Sequence, residues 1–229
     1  MRTIVLFGVK GSGKDTVGAV LRDRYSYWKE SFAWPIKQMV KLAFPKFTDE
    51  DLYGSSEARE RQEPAYPMGD RCVRCNTRLV RTMGDTGELL LCGQYSTCGA
   101  VYPPFLSARV ALQAMGTELG RRLYSDVWVD GCFERISRDA MTNPHYGTRG
   151  VVVTDGRFRN ELVRSKALGA FCVKLTRGLK ESTSTHQSEA EFRTIPDTAF
   201  DAIFDNANMT LGDLPDAVSN LLNRVGMPR

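Results

Sequence analysis

Two groups of residues in this chain have the types and spacing to do chemistry. The first is Gly8-Val9-Lys10-Gly11-Ser12-Gly13-Lys14-Asp15-Thr16. Glycines let a backbone curl until its N–H groups converge on an anion. A helix starting there adds free N–H groups and the positive end of its dipole. Lys14 closes the turn, placed to reach the β- and γ-phosphates of a nucleotide. The usual pattern puts Ser or Thr directly after the lysine, to hold magnesium. Here Asp15 holds that position and Thr16 follows it. A carboxylate oxygen suits a hard cation, directly or through water; Thr16 serves only if the helix start shifts slightly. The competing reading is an ordinary glycine-rich turn. The flanks argue against it: Thr3 to Phe7 is an apolar, β-branched run, and Val17, Val20 and Leu21 recur at helical spacing.

The second group is Cys72, Cys75, Cys92 and Cys98. Two residues separate the first pair, sixteen separate the pairs, and five separate the second pair. Two close pairs on paired turns predict a tetrahedral zinc site, although the second gap is wide for the pattern. Four thiolate ligands leave no open coordination position, so such a zinc stabilises rather than catalyses. Leu79 to Arg81 and Glu88 to Leu91 supply a hairpin around Gly84-Asp85-Thr86-Gly87. Prolines 64, 67, 103 and 104 flank the segment, which reads as an insertion at 66–104. Cys132 and Cys172 lie in apolar surroundings and read as plain buried residues.

Composition narrows the class. A chain of 229 residues accommodates one α/β domain and an insertion. Its net charge of +4 is too mild to argue for nucleic acid, though it suits a phosphate pocket. No apolar run approaches the ~20 residues of a membrane span. The N-terminus reads as a core strand and not as a signal peptide. A cytoplasmic, reducing location is the expectation, so the six cysteines are not read as a disulfide framework.

These residues need elements to position them. Ser31-Phe32-Ala33 reads as a short second strand or its end. Pro35 opens a helix striped by Ile36, Met39, Val40 and Ala43. Residues 49–64 read as a solvated helical face. Ser107 caps a helix running through Val110, Leu112, Met115, Leu119 and Leu123. A second helix spans about 126–141. Gly150 to Thr154 is the clearest buried strand, with Asp155 at its C-terminal end, where open α/β sheets bind ligands. A helix to Leu168, a strand from Phe171 to Leu175, a polar segment, a strand at 202–204 and a last helix complete the chain. The polar segment, about 178–198 with His186, reads as a lid. Strands alternate with helices, so the sheet should be parallel and covered on both faces.

Assembled in order, the motifs resemble phage-type deoxynucleoside monophosphate kinases of the phosphate-loop kinase superfamily. The resemblance rests on the loop with its aspartate, Pro35-Ile36-Lys37, Leu112 to Leu119 with Gln113, and Trp128-Val129. It continues through Asp155, Arg157-Phe158, Asn160-Glu161, Arg177, His186 with Ser188-Glu189, and Asn206. It covers most of the chain outside 66–104. It implies a three-layer P-loop NTPase fold with a five-stranded parallel sheet, formed by 1–65 and 105–229, with the zinc-ribbon-like insertion added. ATP is the implied donor, a deoxynucleoside monophosphate the acceptor and magnesium the cofactor, in the host cytoplasm if the protein is phage-encoded. Nucleic acid is not an expected partner, and a homodimer is compatible with the resemblance.

The resemblance assigns roles residue by residue. Gly8, Lys10, Gly11, Ser12, Gly13 and Lys14 hold the donor phosphates, and Asn206 lies near the adenine. Asp15, Thr16 and Asp155 organise magnesium or its waters. Arg157 and Arg159 grip the acceptor phosphate, because the guanidinium fork matches phosphate. Lys37, Gln113 and Glu161 complete the acceptor side, and Arg177 closes over the transferring group. Plainer readings stand beside these: Asp155 as a helix cap, Arg159 as a solvated helix residue, Gln113 pairing a buried backbone group, and His186 as lid structure. Rival functions are a kinase for another small acceptor, such as dephospho-coenzyme A, and a nucleic-acid-binding ATPase. The latter would use the hairpin and its Arg71, Arg74, Arg78 and Arg81.

Overall fold

The computed structural model describes residues 2–85, 87–146, 149–177 and 191–226. The chain divides into two compact units, Met1–Phe32 with Asp126–Arg229, and Ala33–Ser125.

The first unit is built on a five-stranded sheet. Its strands are β1 (Thr3–Phe7), β2 (Trp28–Glu30), β8 (Val151–Gly156), β9 (Phe171–Thr176) and β10 (Ala202–Asp205). Their order is β10-β9-β1-β8-β2, and every pairing is parallel. The order reverses at β1, and such a reversal is where open sheets bind ligands. Parallel strands need crossovers, and helices α1 (Lys14–Tyr25), α8 (Val127–Thr142), α9 (Arg159–Ala167) and α10 (Leu214–Arg224) lie among them. Ile4 and Leu6 point to one face of β1 and join Val17, Leu21, Val218, Leu221 and Leu222 in one core cluster. Val5 and Phe7, on the opposite face, are equally buried. The three-layer expectation holds.

The second strand differs from expectation. It is Trp28–Glu30, and Ser31 to Ala33 lie beyond its end. As an edge strand it is only half covered, so its Trp-Lys-Glu sequence carries none of the apolar run that marks a central strand.

The second unit contains α2 (Trp34–Ala43), α3 (Asp49–Tyr53) and α4 (Ser56–Glu60). Pro35 lies in the first turn of α2, as its missing N–H allows. Residues 49–64, read as one helical face, form the two short helices α3 and α4. Thr48 and Ser55 cap them separately, and β3 (Gln62–Pro67) comes directly after. This strand pairs antiparallel with β7 (Phe105–Ser107). Between them β4 (Leu79–Gly84), β5 (Gly87–Cys92) and β6 (Val101–Tyr102) make a three-stranded antiparallel sheet, with α5 (Tyr95–Cys98) after β5. The hairpin read from Leu79 to Leu91 is present, in register from Leu79↔Cys92 to Gly84↔Gly87.

The helix capped by Ser107 is not one α-helix. After α6 (Ala108–Gln113), residues Ala114–Gly120 wind as a π-helix, and α7 (Arg121–Leu123) restores the α-helix. Leu119 and Leu123, placed in the apolar stripe by an α-helical count, are exposed. The wider i→i+5 turn rotates them off that stripe, and Gly116 and Gly120 are buried instead.

Candidate active site

The phosphate loop leaves the C-terminal end of β1, at the reversal point of the sheet. Gly11 and Gly13 adopt positive φ of 81° and 89°, a region that costs other residues a steric penalty. Gly13 is the N-cap of α1 and offers no side chain to its first amides. Those N–H groups, with the helix dipole behind them, form the anion-attracting end of the unit. Ser12 and Lys14 are buried. The Lys14 Nζ donates to the Gly8 carbonyl at 2.6 Å, the Val9 carbonyl at 2.8 Å and the Ser12 Oγ at 3.2 Å. The ammonium is therefore held along the loop by three oxygens.

Asp15 and Thr16 are both exposed in the first turn of α1. Lys29 of β2 donates to the Asp15 Oδ1 at 3.0 Å, and the Thr154 hydroxyl does so at 3.4 Å. Desolvation pushes the Asp15 carboxyl up, but the Lys29 hydrogen bond and the charges of Lys29 and Lys14 outweigh it. The group lies below the ordinary aspartate range and stays ionised at neutral pH. Asp15 and Thr16 are hard oxygen donors at the start of a helix, which fits magnesium.

Asn206, just past β10, is buried against the loop. Its Nδ2 donates to the Ser12 carbonyl at 3.1 Å, and its backbone N–H donates to the Thr176 carbonyl. A Cβ on Gly13 would stand 2.5 Å from that Nδ2, so glycine is needed there on two counts. The buried Asn206 Oδ1 has no hydrogen-bond partner among the described residues.

Asp155 is the penultimate residue of β8, beside the loop strand. Ser31 Oγ donates to its Oδ2 at 2.7 Å and the Phe32 N–H to its Oδ1 at 2.8 Å. At the start of the following helix Glu161 takes the first amides, its Oε2 accepting from the Arg157 and Phe158 N–H groups at 2.7 and 2.9 Å. Glu161 is buried, and these two bonds tie its carboxylate to the backbone. Arg157 is half-buried. Arg159 is exposed and anchored, its guanidinium donating to the Thr194 carbonyl at 3.1 Å. Arg177 is exposed at the end of β9.

Sequence reasoning passes over a buried network behind Asp155. Arg135 of α8 donates to the Ser31 carbonyl at 2.9 Å and to Glu30 Oε2 at 3.3 Å. The Tyr146 hydroxyl donates to Glu30 Oε1 at 2.9 Å. Side chains of Arg135 and Glu30 are 11% and 12% exposed, so the pair is largely desolvated and locks the backbone that grips Asp155. Its only trace in the sequence is a lone glutamate on a half-buried edge strand.

Other candidate residues belong to the second unit. Lys37 on α2 places its Nζ 4.2 Å from the centre of the Tyr53 ring. Gln113 is half-buried and immediately precedes the π-helix. The Sγ atoms of Cys72, Cys75, Cys92 and Cys98 all lie within 4.8 Å of one another. Sulfurs about 2.3 Å from a common tetrahedral centre stand about 3.8 Å apart, so the cluster fits a metal ion. The Gln94 N–H donates to the Cys92 sulfur at 3.4 Å, a backbone contact that supports thiolate charge. The hairpin arginines are engaged: Arg81 pairs with Glu88, Arg74 with Glu118, and Arg71 donates to the Asn76 carbonyl.

His186 and residues 178–190 of the expected lid lie outside the described residues. Of the remainder, Phe192 and Ile195 are buried. No helix among the described residues is long and apolar enough to cross a membrane.

One viral relative decides the family. "Putative deoxynucleotide monophosphate kinase" of Acanthamoeba polyphaga mimivirus is 32% identical over 204 residues, covering 85% of this chain and 84% of the relative. The chain belongs to the deoxynucleotide monophosphate kinase family. The enzyme of that name from Enterobacteria phage T4 is 27% identical over 220 residues, covering 83% of this chain and 87% of the phage protein. No protein-family model matches the chain. Among solved structures, an unliganded sugar kinase from Janibacter sp. HTCC2649 aligns over 99% of this chain and 95% of its own, at 11% identity and a TM-score of 0.44. The five-stranded parallel sheet is the one that the resemblance to this family implies.

Proposed function

We propose that the protein transfers the γ-phosphoryl group of ATP to a deoxynucleoside monophosphate, giving ADP and the diphosphate. The observation that carries this reading is a glycine loop with a buried lysine at the sheet's reversal point, in a chain of this family. Phosphoryl transfer asks the protein for positioning and charge neutralisation more than for covalent chemistry. An acceptor phosphate oxygen forms a bond to the γ-phosphorus as the bond to the β–γ bridging oxygen breaks. ADP leaves with that electron pair.

The loop amides of Gly8 to Gly13, Lys10 and Lys14 hold the donor phosphates. Asn206 fixes the loop's curvature through Ser12 and stands beside the nucleotide. Asp15, Thr16 and Asp155 hold magnesium or its waters, with Ser31 and the Phe32 N–H orienting Asp155. Bound magnesium supplies positive charge on the transferring phosphates. Arg157 receives the acceptor phosphate, assisted by Arg159. Lys37 and Gln113 serve the acceptor, Glu161 sets the turn that presents Arg157, and Arg177 closes over the transferring group. The four cysteines of segment 66–104 hold one structural zinc, which leaves no coordination position for substrate.

Engagement of Arg71, Arg74 and Arg81 within the second unit weighs against an ATPase that grips nucleic acid through the hairpin. The test is a coupled ADP-release screen across nucleoside monophosphates, dephospho-coenzyme A, and single- and double-stranded DNA. Release that depends on a deoxynucleoside monophosphate supports the reading. Release stimulated by DNA alone, or by dephospho-coenzyme A alone, overturns it.

A further inference from the structure

The cysteine cluster and the π-helix are joined by one residue. Arg74 lies inside the first cysteine pair, between Cys72 and Cys75. Its Nε stands 3.4 Å from the Glu118 carboxylate, on the π-helix. Its backbone carbonyl accepts from the Arg122 guanidinium at 2.9 Å, on α7. Arg74 thus holds the helix at two residues four apart, one on each side of the point where π winding returns to α winding. π-helices are rare and occur often at functional sites.

The same turn presses on α2. A Cβ on Gly116 would stand 3.0 Å from the Ile36 Cδ1, a tight approach that glycine permits without displacing Ile36. Lys37 is the next residue along α2, and Gln113 immediately precedes the π-helix. Loss of the π turn would rotate Gln113 against residues 116–120 and lift Gly116 from Ile36. Gln113 adjoins the turn that Arg74 holds, and Lys37 follows the Ile36 against which that turn packs.

We propose that Arg74 is a positioning residue, through which the metal-held cysteine turn fixes the π-helix of Ala114–Gly120 and with it Lys37 and Gln113. The acceptor side of the site is then coupled to zinc, although zinc touches no substrate. This rests on the kinase reading for its substrate, but the coupling itself can be measured without turnover.

The experiment compares the parent protein, Arg74→Ala, Glu118→Ala and the charge-exchanged Arg74→Glu/Glu118→Arg double variant. Zinc content, amide hydrogen exchange over residues 114–123, and steady-state kinetics with each substrate varied are read for each. Arg74→Ala should keep one zinc per chain. Its exchange over 114–123 should rise about two- to fivefold, the size set by one exposed ion pair. The Michaelis constant for the monophosphate should rise by a similar factor, with that for ATP unchanged. Glu118→Ala should act in the same direction, and the charge-exchanged protein should recover part of both effects. Zinc removal by chelation should accelerate the same amides in the parent protein.

Unchanged exchange over 114–123 in both Arg74→Ala and zinc-stripped protein overturns the coupling. Faster exchange with an unchanged monophosphate constant overturns the positioning role. Failure of the parent protein to phosphorylate any monophosphate would refute the kinase reading alone, because the exchange data still decide the coupling.

Discussion

Lys14 concentrates the charge of the donor site in a buried position. Its ammonium bonds three loop oxygens, so the side chain is already directed along the turn that the phosphates would line. Lys14→Ala should leave the fold intact, since the α1 core residues Val17 and Leu21 are untouched, and should lower kcat about 100-fold or more. Near-normal turnover in a folded variant would sink the donor assignment. Arg157 offers the complementary test. A bidentate arginine–phosphate contact is worth about 1.5–3 kcal/mol, and about 1.4 kcal/mol is tenfold in a constant. Arg157→Ala should therefore raise the Michaelis constant for the monophosphate at least about tenfold and leave that for ATP almost unchanged. If the contact forms only in the transition state, kcat falls instead. Arg157→Lys should recover part of the loss, because lysine supplies charge without the fork. Equal effects on both substrates, or on neither, would remove Arg157 from the acceptor site.

Elements bring these residues to the sheet edge through close approaches that leave no slack. Helix α1 lies so near β8 that a Cβ on Gly18 would stand 2.3 Å from the Thr154 Cγ2. Threonine in a strand is stiff at χ1, so the clash cannot be relieved by a rotamer change alone. Gly18→Ala should destabilise the protein by about 1–3 kcal/mol despite the higher helix propensity of alanine. Chemical denaturation measures this, and a variant as stable as the parent would show that α1 can lift without cost. The same packing explains which elements are legible in the sequence. Strands β1 and β8 are buried along most of their length and carry apolar runs, as β9 does apart from Lys174. Strand β2 is an edge, so its Trp28-Lys29-Glu30 carries no such pattern and the reading slips to Ser31. The π turn is hidden because a period is counted over several turns. A stretch of π winding displaces only the residues within and after it, as Leu119 and Leu123 record. Among the site residues, the loop is legible because its chemistry is local. The grip of Ser31 and Phe32 on Asp155, and of Arg135 on Ser31, spans more than a hundred residues and has no sequence period to announce it.

At the scale of the whole molecule, the two units rest on different kinds of core. The sheet unit buries a long list of aliphatic side chains, with Ile4, Leu6, Val152, Val173 and Leu222 among those fully enclosed. The hairpin's own cluster is Cys72, Leu79, Leu90, Cys92, Ala100 and Tyr102. Two of these are cysteines of the candidate metal site, so apolar burial alone is thin there. Small folds of this kind depend on a metal or a cross-link, and a structural zinc contributes its binding free energy directly to folding. Chelation at neutral pH should therefore loosen the hairpin without dismantling the sheet. The N–H groups of Cys72, Leu79 and Cys92, which donate to the carbonyls of Thr77, Asp70 and Ala100, should lose protection from exchange. Those of β1 and β8 should keep theirs, because their bonding lies wholly within the sheet unit. Cys75→Ser should act in the same direction, lowering the melting temperature while kcat at moderate temperature and saturating substrate persists. Elemental analysis after extensive dialysis should find about one zinc per chain before chelation, as a single site of four thiolates requires. A fully stable protein without metal would refute the structural site. Simultaneous loss of protection in β1, β8 and the hairpin would show instead that zinc supports both units together.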